Sequence, residues 1–380
     1  MRPQHLRIVF AGGGTGGHLF PAIAIADEIK RIRPDSDVSF VGTKGKIEAR
    51  IVPARGYAFT TIWVSGLRRK LALENMLFPL KLLASLVQSF ILLKKLKPDA
   101  VVGTGGYVCG PVVFVASLLG VPTLLQEQNS RPGVTTRMLA SQVDEVHLSF
   151  EASRRFLGRV KRVKVTGNPT RSTIGAIARA EGARHFGIAE GGRTLLVFGG
   201  SLGASSINSA LLHVLPDLCA SDLQILWQTG ETDYERVRSA AVCGPTLTRA
   251  TVKVFKFIDA MEYAYGAADL AICRAGATTV AELTRAGVPS VLVPYPYAAA
   301  GHQTENARML VEGGASVMIL DGELRERLLG SVTELLSDSA RLATMAGKAR
   351  ALGRPNAAVE LAHAVIHLAA APDVGSGQNV

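Results

Sequence analysis

The residues best suited to chemistry lie in Arg274-Ala-Gly-Ala-Thr-Thr-Val-Ala-Glu282. An apolar run, Leu270 to Cys273, leads into a small-residue turn, and a helical pattern follows. Such a turn aims backbone N–H groups and the positive end of a helix at one point, which suits a diphosphate. Glu282 falls in the first turns of that helix, where a carboxylate can accept both hydroxyls of a ribose. Phosphate donors beside a ribose acceptor read as a nucleotide site. A buried strand followed by a capped helix satisfies the same residues, so the rest of the chain must decide.

Three other glycine-bearing loops follow apolar runs, at 12–17, 103–106 and 199–203. Gly12, Gly14 and Gly17 satisfy G-x-G-x-x-G, but a dinucleotide site also wants an acidic residue at the end of the next strand. That strand ends Phe40-Val-Gly-Thr-Lys-Gly-Lys46, with lysines in that place. A nicotinamide dehydrogenase is therefore disfavoured. No G-x-x-x-x-G-K-[ST] occurs, which disfavours a P-loop nucleotidase. His18 directly follows the first loop. Imidazole titrates near neutral pH, so His18 could act as a general base; it could equally cap or orient the loop. Arg274 could neutralise a leaving diphosphate or form a structural ion pair. No Asp-x-Asp signature is evident for a metal-held diphosphate, so no tightly bound metal or other cofactor is expected.

Strands and helices must position these loops. Leu6–Ala11, Val38–Val41, Val101–Val102, Pro122–Leu125 and Lys161–Thr166 read as strands, with helical spacing between several of them. The pattern restarts at Thr194-Leu-Leu-Val-Phe198, which runs into Gly199-Gly-Ser-Leu-Gly-Ala204 and a helix. Repeated strand–helix alternation predicts an α/β chain with two doubly wound, Rossmann-like domains. The expected limits are 1–170 for the first domain, 171–183 for a linker and 184–370 for the second domain with C-terminal helices. Residues 371–380 read as a disordered tail. Ligands of open parallel sheets bind outside the carboxyl ends of the strands. Two such domains facing a central cleft would hold a nucleotide-linked donor against a second substrate, which suggests group transfer.

Composition narrows the class. Of 380 residues, 48% are hydrophobic and 19% charged, so core material is ample. No run reaches the roughly 18 apolar residues of a spanning helix. The start reads as a first strand, not a signal peptide. Cys109, Cys219, Cys243 and Cys273 form no close pair and read as reduced thiols. Residues 1–170 carry 24 Lys and Arg against 11 Asp and Glu, whereas residues 171–380 carry 18 against 20. The basic half suggests an anionic surface. Nucleic acid is disfavoured, because only 6% of residues are aromatic and none interleave the basic ones. Leu73 to Lys97 is rich in leucine and flanked by Arg68, Arg69, Lys70, Lys94, Lys95 and Lys97. Basic flanks around apolar side chains fit an anionic leaflet. A core helix is the expectation for most of these leucines, with lipid contact confined to 76–78 and 82–86.

The motifs together resemble a known family. Gly13-Gly-Thr-Gly-Gly-His-Leu-Phe-Pro21, Gly103-Thr-Gly-Gly-Tyr-Val-Cys-Gly-Pro111, Gln126-Glu-Gln-Asn129, Gly167-Asn-Pro-Thr-Arg171, Gly199-Gly-Ser-Leu-Gly-Ala204, Cys273-Arg-Ala-Gly-Ala277 and His302-Gln-Thr-Glu-Asn-Ala307 occur in order. They are similar to those of the MurG-type N-acetylglucosaminyltransferases of bacterial cell-wall synthesis. The resemblance implies the GT-B fold and an inverting transfer of GlcNAc from UDP-GlcNAc. The implied acceptor is the C4 hydroxyl of MurNAc on undecaprenyl-diphosphoryl-MurNAc-pentapeptide. It also implies peptidoglycan synthesis, roles in cell shape and division, and a peripheral place on the cytoplasmic face of the inner membrane, beside other wall-synthesis proteins. Residue by residue, it implies that the Ile258 backbone holds uracil and that Glu282 takes the ribose. Ser201 and the turn of Ala277, Thr278, Thr279, Val280 and Ala281 would hold the diphosphate. Gln303 and Asn129 would reach the sugar, with Gly14, Thr15, Gly16, Gly17 and Arg171 completing the site. His18 would lie beside the acceptor as catalytic base. Other UDP-sugar enzymes of this fold (a glycolipid synthase or an epimerase) and a non-catalytic sugar-nucleotide-binding subunit are the alternatives.

Overall fold

A strand buried on both faces needs an unbroken apolar run, because helices cover a parallel sheet on each side. Arg7–Gly12, the first strand (β1), meets that demand with Ile8, Val9, Phe10 and Ala11 all buried. The computed structural model describes residues 5–65, 78–200, 203–241, 251–298 and 301–370. They fall into two compact units, Met1–Thr170 with Asn356–Val380, and Arg171–Pro355.

The first unit continues with α1 (Gly16–Ile32), β2 (Asp37–Gly42), α2 (Ile47–Ala54), β3 (Ala58–Thr61), α3 (Phe78–Leu96), β4 (Ala100–Gly105) and α4 (Cys109–Leu118). Then come β5 (Thr123–Glu127), α5 (Val134–Leu139), β6 (Glu145–Leu148) and β7 (Val163–Val165). The strands form one parallel sheet in the order β3-β2-β1-β4-β5-β6-β7. Side chains alternate across it: Ile8 and Phe10 enter one core layer with α1, while Val9 and Ala11 enter the other with α4. The order reverses between β1 and β4, so the two glycine loops that follow them are neighbours at a topological switch point.

The second unit holds α6 (Arg179–Phe186), β8 (Arg193–Phe198), α7 (Ser205–Cys219), β9 (Leu223–Gln228), α8 (Tyr234–Ala240), β10 (Thr251–Phe255), α9 (Met261–Ala267) and β11 (Leu270–Cys273). It continues with α10 (Ala277–Ala286), β12 (Ser290–Leu292), α11 (His302–Glu312), β13 (Ser316–Met318), α12 (Leu324–Ser337) and α13 (Ser339–Leu352). Its parallel sheet runs β10-β9-β8-β11-β12-β13. The switch point lies between β8 and β11, again joining two glycine loops. Fully buried Trp227 anchors the core, and its indole N–H donates to Asn208 Oδ1 at 3.0 Å.

Several elements depart from the sequence reading. The expected linker 171–183 contains the start of α6, which packs on α9 and whose Arg179 forks onto both oxygens of Asp269. The last helix, α14 (Ala357–Ala370), belongs with the first unit and not the second. Its Leu361, Ala362 and Val365 are buried in the core formed by β1 and α1. An apolar helical face shows that a partner exists but not which one. Cys219 is disulfide-bonded, against the expectation of reduced thiols; spacing along the chain says nothing about Cα separation. Cys243 and the tail 371–380 lie outside the described residues.

The core reading of α3 holds for one side of the helix: Leu93 is buried and Leu86, Leu92 and Leu96 pack partly buried against the core, while the other side is exposed. Its buried residues are Ser85, Ser89 and Leu93, at helical spacing. Leu80, Leu83, Val87, Phe90 and Ile91 are exposed. The two buried hydroxyls are satisfied within the helix, Ser85 by Leu82 O and Ser89 by Ser85 O, each at 2.7 Å. Small side chains let α3 lie against α4.

Candidate active site

In the first unit the glycine loop passes directly into α1, which begins at Gly16 and has Thr15 as its N-cap. The helix thus starts inside the glycine run, three residues before the expected Leu19. Thr15 makes no side-chain cap bond, so the first N–H groups of α1 lack an intrahelical partner. Gly14, Thr15 and Gly17 are exposed, and Gly16 and His18 are half-buried. Gly14 is already committed: its N–H donates to Glu48 Oε2 at 2.9 Å. The other oxygen of buried Glu48 accepts from the N–H and hydroxyl of Thr43 at 3.1 and 2.7 Å. A carboxylate in that place repels a pyrophosphate, which strengthens the case against a dinucleotide. Sequence reasoning missed Glu48 because it comes from α2, not from the end of β2.

His18 is held by the ends of two neighbouring strands. Thr104 Oγ1 donates to His18 O at 2.8 Å, and His18 Nδ1 meets Gln128 Oε1 at 2.9 Å. Gly105 has φ +103°, and a Cβ there would lie 2.6 Å from His18 Nδ1. Only glycine allows both the turn and the ring. Asn129 follows β5, and its side-chain amide donates to Glu127 Oε1 at 3.2 Å. Glu127 Oε2 accepts from Gly133 N–H and the Thr136 hydroxyl, so this buried carboxylate fixes the whole 127–136 turn.

In the second unit, α10 begins at Ala277 with Gly276 as N-cap and no side-chain cap. Among the predicted phosphate-binding residues, Thr278 stands out because its buried Oγ1 has no hydrogen-bond partner. A buried hydroxyl without a partner at an uncapped helix start can donate to a phosphate oxygen. Thr279, Val280 and Ala281 continue the first turns, with Val280 turned into the core.

Glu282 is half-buried on α10, and Tyr265 Oη donates to its Oε2 at 3.0 Å. Burial raises the Glu282 carboxyl above its ordinary value, with Glu262 adding to the effect, while Arg171 and Tyr265 oppose it. Arg171 Nη1 lies 3.3 Å from Glu262 Oε2, so Arg171, Glu262, Tyr265 and Glu282 form one cluster. Burial pushes the Tyr265 phenol well above its usual range, which keeps it a donor.

Ile258 N–H donates to Gln228 Oε1 at 2.8 Å, and Gln228 Nε2 donates to Gly200 O at 3.0 Å. Buried Gln228 therefore ties the glycine loop after β8 to the expected uracil contact. Sequence reasoning passed over it as an ordinary strand residue. Gly203 has φ +80°, and a Cβ there would collide with Thr229 O. Ser201 lies outside the described residues. Gln303 Oε1 accepts from Tyr295 N–H at 2.9 Å, and Asn306 Nδ2 from the same helix donates to Ala275 O at 3.1 Å. The start of α11 is thereby fastened to the turn that begins α10.

The two readings of Arg274 are now separable. Its guanidinium is buried, bonds to Asp321 Oδ1 and to the carbonyls of Val293 and Pro294, and donates to Ser206 Oγ at 2.8 Å. It is a structural ion pair. The triplet Asp35-Ser-Asp37 runs into the start of β2, where Asp35 pairs with Arg33 and Asp37 with His5. Among the described residues, no three His, Cys, Asp or Glu side chains gather as a metal-ligand set.

Two parallel sheets, each with glycine loops at its switch point, define the GT-B class of glycosyltransferases. Family models agree: the glycosyltransferase family 28 N-terminal domain matches residues 8–148 and its C-terminal domain matches 194–361. A UDP-N-acetylglucosamine--N-acetylmuramyl-(pentapeptide) pyrophosphoryl-undecaprenol N-acetylglucosamine transferase from Chlorobaculum parvum is 47% identical over 96% of this chain and 99% of its own. The same enzyme from Chlorobaculum tepidum is 48% identical over 96% of this chain and 99% of its own. The crystal structure of Acinetobacter baumannii MurG superposes with a TM-score of 0.73 at 33% identity, covering 95% of this chain and 99% of that one. The chain belongs to the MurG family of N-acetylglucosamine transferases.

Proposed function

We infer that this protein is a hexosyltransferase that moves GlcNAc from UDP-GlcNAc to undecaprenyl-diphosphoryl-MurNAc-pentapeptide, converting lipid I to lipid II in peptidoglycan synthesis. The observation that carries the donor assignment is the start of α10. Uncapped N–H groups, the orphaned Thr278 hydroxyl and the Glu282 carboxylate occur within one short stretch. Such a set matches a diphosphate beside a ribose.

The donor sugar is α-linked and the product β-linked, so the transfer is one in-line displacement. The acceptor C4 oxygen attacks C1 while the bond from C1 to the diphosphate oxygen breaks and UDP departs. His18 takes the hydroxyl proton as base on the face opposite the leaving group. Charge gathers on the leaving diphosphate, where the N–H groups at the start of α10 stabilise it. The proposed donor residues are Ile258, Ser201, Ala277, Thr278, Thr279, Val280, Ala281, Glu282, Gln303 and Arg171 of the second unit, and Asn129, Gly14, Thr15, Gly16 and Gly17 of the first.

The protein works at the cytoplasmic face of the inner membrane, held peripherally, and serves cell growth, shape and division beside other wall-synthesis proteins. The outward face of α3 supports the membrane reading. Leu80, Leu83, Val87, Phe90 and Ile91 are exposed there, and Lys94 and Lys95 stand in the last turn. Among the described residues, no helix is long and apolar enough to cross a membrane, so the contact is interfacial. Arg68, Arg69, Lys70 and Met76 lie outside the described residues.

The deciding experiment is transfer of labelled GlcNAc from UDP-GlcNAc to a MurNAc-diphosphoryl lipid, with UDP-GalNAc and UDP-glucose in parallel. Transfer selective for UDP-GlcNAc is expected, and folded protein without transfer would overturn the reading.

A further inference from the structure

We propose that Gln128 is a positioning residue that locks His18 in the tautomer carrying its proton on Nδ1, leaving Nε2 as the basic nitrogen. The inference rests on the reading of His18 as the base. It follows from a chain of hydrogen bonds within the first unit that can be oriented in only one sense.

The chain starts at Ser149, whose hydroxyl donates to Glu127 O at 2.8 Å. That hydroxyl has a single proton, so towards Gln126 its oxygen can only accept. Gln126 must then present Nε2 to Ser149 Oγ, at 3.2 Å. Its Oε1 therefore points the other way, where it accepts from Gln128 Nε2. Two backbone carbonyls give the same answer independently. Gln128 Nε2 also lies 2.7 Å from Thr104 O and 3.0 Å from Gln126 O. Three oxygens surround that amide nitrogen. Flipping the amide would set a fourth oxygen against them, and Gln128 is only 2% exposed, so water cannot relieve the conflict.

Gln128 Oε1 is thus fixed towards His18 at 2.9 Å. An amide oxygen only accepts, so His18 Nδ1 must carry the proton. Loss of the proton from Nδ1 would strip that bond from a buried oxygen, and the ring therefore takes up the acceptor's proton at Nε2. Thr104 serves both ends of the arrangement, since its carbonyl holds Gln128 and its hydroxyl holds His18 O. The partner is an amide and not a carboxylate, so it selects the tautomer without adding a full negative charge behind the imidazolium.

The test is nitrogen-15 NMR of the histidine-labelled full chain, with UDP bound to confirm a folded second unit. The His18 resonance, assigned by its loss in His18→Ala, should show protonated Nδ1 and bare Nε2 at neutral pH. Gln128→Met keeps the volume and removes the acceptor. It should mix the tautomers and lower kcat roughly 10- to 100-fold, less than loss of the base itself, with the KM for UDP-GlcNAc little changed. A wild-type His18 protonated on Nε2, or unchanged tautomer and kcat in Gln128→Met, would overturn the proposal. Full turnover in His18→Ala would remove the base reading instead. Loss of turnover in His18→Ala together with a wrong wild-type tautomer would defeat only the role of Gln128.

Discussion

Tyr265 Oη donates to Glu282 Oε2 across 3.0 Å, joining α9 to the first turns of α10. The bond fixes the half-buried carboxylate that we propose accepts the two ribose hydroxyls. Burial has already raised that carboxyl above the ordinary glutamate value of 4.5. UDP affinity should therefore weaken as pH falls through this raised value, sooner than for an exposed glutamate. The stability effect has the opposite sense: the folded state binds the proton more tightly, so the Glu282 contribution falls as pH rises through the window and is regained on acidification. Titration calorimetry of UDP between pH 7 and 5 checks this, and Glu282→Gln should flatten the pH dependence. Glu282→Ala should cost about 1.5–3 kcal/mol of UDP binding. Unchanged affinity would show that the ribose lies elsewhere.

His18→Ala should lower turnover by about 10²–10⁴-fold, the usual share of a general base. Donor binding should survive, because the imidazole belongs to the first unit and the residues proposed for ribose and diphosphate to the second. Steady-state kinetics with a separate UDP-binding measurement distinguishes these effects. Near-normal turnover would leave His18 only the task of orienting the loop.

Thr278→Val removes a buried oxygen that has no partner in this structure. The fold should lose nothing: thermal melting stays level or rises, while UDP affinity falls by about 0.5–1.5 kcal/mol. A loss of melting temperature with intact affinity would mean that the hydroxyl serves the fold.

Arg274→Ala should act on stability. It strands Asp321 and two carbonyls that the guanidinium now satisfies, at a cost of about 3 kcal/mol. Denaturant unfolding measures this. A stable variant with a selective fall in kcat would return Arg274 to the diphosphate.

Leu83→Glu combined with Ile91→Glu changes two exposed residues of α3. Stability should stay within about 0.5 kcal/mol for each exposed substitution. Sedimentation with anionic vesicles should drop sharply. Equal sedimentation of the variant and the parent would move the membrane contact off this helix.

The apolar runs of β1, β4, β8 and β11 and the glycines at their ends were enough to read two doubly wound domains and four glycine loops. Backbone sterics and burial act over a few neighbouring residues, so a sequence displays them directly. The start of α10 and the place of Glu282 were legible for the same reason. Contacts distant along the chain were not. α14 returns to the first unit because its apolar stripe finds β1 and α1, and a stripe does not name its partner. α3 turns Ser85, Ser89 and Leu93 inward and leaves Leu80, Leu83, Val87, Phe90 and Ile91 outward, a division that composition does not display. Glu48, Gln128 and Gln228 gain their roles from strands and loops far from them in sequence. The bonding state of Arg274 and the orientation of the Gln128 amide depend on every donor and acceptor around them at once, and only tertiary structure assembles that set.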